Sequence, residues 1–134
     1  MRFFLRMLLF CGLLAAPGLL RAQAVRWERT LSGNGWAGAW AGAATPDGGF
    51  VMLATSAAGR GLDMTDSLRG GSDDWLIKYN AAGVKQWDRR YGGSRDEIGW
   101  SVCSTRDGGY FLGGESTSDR SGDRSQPYRG AWDY

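Results

Sequence analysis

The chain has no histidine and only two cysteines in 134 residues. Without imidazole it lacks the commonest general base and the usual nitrogen ligand of a catalytic metal, so every Ser–His or Cys–His mechanism is excluded. Cys11 lies in an N-terminal apolar stretch, which leaves Cys103 as the sole thiol of the remainder. One thiol makes neither an internal disulfide nor a cysteine zinc site. Within the run WSVCST, Cys103 reads as a small packing residue. Proline is scarce, at three residues, and nearly absent from the strand-like runs, as pleated sheet requires. No segment beyond the N-terminal stretch keeps a helical period.

That stretch, MRFFLRMLLFCGLLAAPGLLRAQA, has Arg2 and Arg6 near its start, an apolar run over 7–20, and small residues at the end of AQA. This is the layout of a secretory signal peptide spanning 1–24, with the mature chain beginning at Val25. The apolar run of 14 residues is short of the roughly 20 that span a bilayer, which disfavours a membrane anchor. Phe10 before Cys11 is too bulky for a lipoprotein signal. Cleavage removes three of the 16 basic residues and leaves 13 against 14 acidic ones, a net charge near −1 in place of +2. The expected address is therefore secreted or cell-surface, with no membrane span after cleavage and no charge that calls for nucleic acid.

What the chain has in abundance is glycine, 22 residues, and tryptophan, seven. Their placement is periodic. TPDGGFVMLATS at 45–56 returns as TRDGGYFLGGES at 105–116. A shift of sixty sets Trp27 on Trp87, Arg29 on Arg89, Gly33 on Gly93 and Trp40 on Trp100. It also sets Asp47-Gly48-Gly49 on Asp107-Gly108-Gly109, Ser56 on Ser116, Asp63 on Asp123, and Phe50 against Tyr110. A one-residue deletion then brings Gly71 onto Gly130 and Asp74 onto Asp133. Repeat 1 covers about 27–86 and repeat 2 about 87–134.

Each unit reads as four strands. GWSVCST (99–105) and GYFLGGES (109–116) flank RDGG, a hairpin turn in which Gly supplies positive φ and Asp bonds its own backbone. AWAGAAT (39–45) and GFVMLATS (49–56) do the same around PDGG. DWLIKYN (74–80) alternates Trp75, Ile77 and Tyr79 with Leu76 and Lys78. VKQWDRRY (84–91) puts Trp87 and Tyr91 on one face. Trp27/Trp87 and Trp40/Trp100 are expected at equivalent positions, packed between sheets. Four antiparallel strands per sixty residues describe an all-β fold of β-propeller blades, with an open sandwich as the alternative. On this count 25–31 is an orphan fourth strand and 39–91 a whole blade. Residues 98–116 are half of the next blade, and its third strand has only begun at Asp133. The expectation is about one and a half blades in a partial repeat region, 25–134, from an N-terminal fragment of a propeller with about 4–8 blades.

The segment DWLIKYNAAGVKQWDRRYGGSRDEIGWSVCSTRDGGYFLGGESTSDRSGDRSQPYRGAWDY resembles the tandem repeats of large secreted Bacteroidota proteins. The likeness covers nearly all of 25–134. It departs from the repeat pattern at GNGWAGAW and GRGLDMTDSL. It implies a β-propeller behind a signal peptide, a surface or extracellular address tied to type IX secretion, and no catalytic residues.

Asp47 and Asp107 are turn residues. The pairs Asp73–Asp74 and Asp96–Glu97 supply carboxylates for glycosidic chemistry, but neighbours on an extended backbone point apart, so no catalytic residue is assigned. SDRSGDRS (118–125) makes Asp119 and Asp123 the calcium candidates, lacking a third acid and opposed by Arg120 and Arg124. The first copy offers Asp63 and Asp66 at altered spacing. Trp36 and Tyr128 are candidates for sugar stacking. Arg89-Arg90 and Arg120, Arg124 and Arg129 read as surface charge. No cofactor is expected apart from calcium. The leading function is non-enzymatic: a structural or binding segment for extracellular protein or glycan. The alternatives are part of a polysaccharide-acting propeller enzyme, or a calcium-stabilised repeat.

Overall fold

The structure, a computed structural model, describes residues 26–31 and 33–133. Residues 1–25, which hold the expected signal peptide and Cys11, lie outside the described residues, as do Ser32 and Tyr134. Six strands form: β1 Ala37–Ala44, β2 Phe50–Ser56, β3 Asp73–Tyr79, β4 Lys85–Tyr91, β5 Glu97–Ser104 and β6 Tyr110–Ser116. β1 to β4 make one antiparallel meander in chain order, and β5–β6 make a second, two-stranded sheet. The described residues contain no helix.

The two hairpins, β1–β2 and β5–β6, are offset by sixty residues throughout. Their turns close alike: Gly48 at φ +76° and Gly108 at +86° take the left-handed conformation that L side chains resist. Gly48 N–H donates to Thr45 O at 2.9 Å and Gly108 N–H to Thr105 O at 3.1 Å. Asp47 Oδ1 accepts from Thr45 Oγ1 and from Gly49 N–H at 3.1 Å, and Asp107 repeats both bonds. The pairing slips at Trp40 and again at Trp100, each a bulge residue. Further on, the bridge Gly61–Met64 recurs as Ser121–Arg124, with Leu62 at φ 50° where the second copy has Gly122 at 55°. This corrects the expected deletion. Arg69 N–H donates to Asp73 Oδ2 and Arg129 N–H to Asp133 Oδ2, both at 2.9 Å. Ser56 pairs with Asp73 and Ser116 with Asp133. Asp133 therefore matches Asp73, not Asp74, and the shift stays at sixty without a gap.

A second correction concerns 26–31, which is not a strand. It runs instead across the β3–β4 turn, where its tryptophan finds an aromatic partner. Trp27 stacks on Tyr79 with ring centroids 5.6 Å apart. Its indole covers Gly83, where a β-carbon would collide with the ring and φ is +76°.

Alternation along β3 builds two cores. Trp75, Ile77 and Tyr79 join Ala54, Ala58 and Met64 on one face, under the 57–72 loop. Leu76 joins Val51 and Leu53 on the other, which packs against Val102, Tyr110 and Leu112 of the second sheet. Residues are small where β5 approaches β1 (Ala41, Ala43, Gly99). They are large further out, where Trp87 of β4 meets Tyr110 edge-on at 5.7 Å. Small side chains inside and aromatics outside fill a wedge between sheets.

Candidate functional site

At one end of the wedge a shallow, open cavity of 170 Å³ is lined by Asp74, Tyr91, Gly92, Glu97, Ser116, Asp123 and Arg124. Neighbouring acids do part, as extended backbone requires. Asp73 turns to the loop-covered face and is fully buried, its Oδ2 3.9 Å from Arg90 Nη1, while Asp74 turns toward the second sheet. Asp96 is exposed and Glu97 is buried. One member of each pair, Asp74 and Glu97, thus reaches the same cavity. Sequence reasoning missed this meeting, because it compared each acid only with its chain neighbour.

Burial, then the charges of Glu97 and Asp73, push the Asp74 carboxyl up to about 7, against a hydrogen bond from Gly99 N–H. Burial likewise raises Asp73, opposed by Arg69 N–H and the Arg90 charge. Asp73 Oδ1 and Asp74 Oδ1 are buried without a hydrogen-bond partner. Glu97 is fully engaged: Ser116 Oγ donates to Oε1 at 2.6 Å and Gly93 N–H to Oε2 at 2.7 Å. A raised carboxyl beside a second carboxylate is the raw material of acid–base hydrolysis. Here the second carboxylate is held by two donors, and the cavity is below the roughly 300 Å³ at which ligand pockets begin. The arrangement suits a joint between sheets better than a substrate site.

The calcium candidates sit in the 117–132 loop. Asp119 Oδ1 accepts from Arg120 N–H at 2.8 Å and Tyr128 N–H at 3.2 Å, and these bonds hold its carboxyl below the usual range. Asp123 Oδ2 accepts from Gly92 N–H at 3.2 Å and lies 3.4 Å from Arg69 Nε. Among the described residues no group of three or more His, Cys, Asp or Glu gathers to hold a metal. Of the arginines read as surface charge, Arg90 is buried. It donates to Ser56 O at 3.3 Å, to Ala58 O, and to Met64 Sδ at 3.0 Å. Arg124 pairs with Asp133 at 2.7 Å.

The aromatic candidates divide. Tyr128 lies beneath the Arg95 guanidinium, 5.5 Å from the ring centroid. Trp36 is 57% exposed and joins a larger group: its ring lies 6.5 Å from Trp40, which lies 5.1 Å from Trp100. The Trp40/Trp100 pair therefore holds equivalent positions but is not buried between sheets. As bulge residues both rings swing to the exposed edge of β1 and β5. Gly38 lets Trp36 lie flat, since a β-carbon there would stand 3.1 Å from the indole. Cys103 is exposed, not packed, because alternation sets it beside Phe111 on the uncovered face of β5–β6.

No family model matches the chain, nor does any curated protein or solved structure.

Proposed function

We propose that the chain is a secreted, non-enzymatic binding segment built from blades of a β-propeller, and that Trp36, Trp40 and Trp100 form its contact surface for an extracellular protein or glycan. The exposed tryptophan cluster carries the functional reading. Three contiguous indoles on one edge are far from the usual scatter of single surface apolar residues, and Trp dominates binding hot spots. The propeller reading draws on the four-stranded meander, the sixty-residue offset, and the wedge packing with small residues at the inner strands.

The test is a glycan array and an extracellular-protein pull-down with the chain and with a Trp36→Ala/Trp40→Ala/Trp100→Ala variant. The expected result is a ligand lost in the variant, with an unchanged melting curve. Polysaccharide hydrolysis abolished by Asp74→Asn, with binding untouched by loss of the tryptophans, would overturn it in favour of an enzyme.

A further inference from the structure

We infer that the chain stacks head to tail on a second copy of itself, through surfaces that repeat its own internal sheet–sheet interface. The inference rests on the blade reading for the sense of stacking, but not on closure of a ring.

The internal interface is heterologous: it joins two different faces. Sheet β1–β4 offers Val51 and Leu53, and β5–β6 answers with Tyr110 and Leu112. Shifted by sixty, Val51 becomes Phe111 and Leu53 becomes Gly113, on the opposite face of β5–β6. Nothing described covers that face, and Phe111 is 68% exposed. Shifted back, Tyr110 and Leu112 become Phe50 and Met52 on the far face of β1–β4. Their packing is incomplete there: grooves of 160 and 290 Å³ open beside Leu31, Ala37, Met52 and Trp75. One end thus presents a projecting aromatic and the other presents unfilled grooves, the smaller of them apolar, and both are halves of a joint the molecule already makes once.

The connecting segments tell the same story. Residues 92–97 are gripped by both loops. On one side Gly71 N–H donates to Arg95 O at 2.7 Å and Glu97 N–H to Ser72 O at 3.0 Å. On the other, Ser94 N–H donates to Ser121 Oγ at 2.8 Å and Arg95 N–H to Ser118 Oγ at 2.9 Å. The matching plug at 33–37 is exposed throughout. The socket matching 69–73 is the 129–133 segment, where Arg124, Arg129, Trp132 and Asp133 line an open cavity of 390 Å³. A second copy sets its plug into this socket as its Phe50/Met52 face meets Phe111. Heterologous joints of this kind propagate until they close or run on as a filament.

The internal contact also sets the cross-link. Ser104 Oγ donates to Ala44 O at 3.1 Å, so residue 104 of one copy should lie beside residue 44 of the next. The purified chain carrying Cys103→Ala is made as Ser104→Cys and as Ala44→Cys, mixed and oxidised, alongside sedimentation over a concentration series. The expected outcome is a mass that rises with concentration and a 104–44 disulfide between copies, seen in the mixture but in neither variant alone. Adding Phe111→Asp to the Ser104→Cys partner, at an exposed position that leaves the fold intact, should cut the cross-link about tenfold or more. A folded monomer at every soluble concentration would overturn the docking and leave the blade reading standing. Oligomers without the 104–44 link would overturn both.

Discussion

At the scale of single residues, Asp88 gathers four polar contacts on one buried carboxylate. Its Oδ2 accepts from Trp75 Nε1 at 2.9 Å and Thr65 N–H at 3.0 Å, and its Oδ1 accepts from Thr65 Oγ1 at 2.6 Å and lies 2.8 Å from Lys85 Nζ. Burial alone would raise its pKa. Hydrogen bonds from Lys85, Thr65 and Trp75 outweigh burial and hold it at about 2. The carboxylate thereby ties the 57–72 loop and the largest core side chain to β4. Asp88→Ala strands the Trp75 indole N–H in the interior and removes the carboxylate partner of Lys85, whose amine also bonds Asp63 O, and should cost about 3–5 kcal/mol. Denaturant unfolding measures this, and a loss under about 1 kcal/mol would show that water replaces the carboxylate. Alternation alone placed Trp75, Ile77 and Tyr79 on one face. It did not single out Asp88 or Arg90, although both continue that face across β4, opposite Ile77 and Trp75. Charge in a strand reads as solvent-facing by default, and only the loop folding over it makes an interior anchor.

At the scale of elements, the interface between sheets carries its own pH dependence. Asp74 has a folded pKa near 7 against about 3.9 in an unfolded chain. A raised pKa means that the fold favours the protonated form. The associated stability is fully present below about pH 4 and is lost as pH rises through 7. Asp73, also raised, adds in the same direction, while Asp88 acts only as pH falls from about 4 toward 2. The unfolding free energy from urea titrations should therefore fall by an amount on the order of 2–4 kcal/mol between pH 4 and pH 8, and Asp74→Asn should remove most of that slope. Parallel profiles for the two proteins would place Asp74 in water rather than at the joint. The hairpins themselves were legible because turns are local: Asp-Gly-Gly with a preceding Thr carries its own bonds. The bulges at Trp40 and Trp100 were not, since a register slip depends on which partner residue each strand finds.

At the scale of the whole molecule, the two sheets should differ in stability. β2 and β3 are interior strands of the meander with a core on each side, whereas β6 meets only the isolated Ser116–Asp133 bridge beyond β5 and leaves Phe111 uncovered. At low concentration, amides of β5–β6 should exchange roughly tenfold or more faster than those of β2–β3. Hydrogen-exchange mass spectrometry reads this directly, and equal protection would make the molecule one cooperative unit. Six strands, their turns and the alternation of β3 followed from the sequence alone, because each rests on bonds and side-chain periods spanning a few residues. The meeting of Asp74 with Glu97, the burial of Arg90 and the tryptophan edge were decided by tertiary structure. So was the gapless match of Asp73 with Asp133. Each depends on groups far apart in the chain, brought together only when one sheet packs on the next.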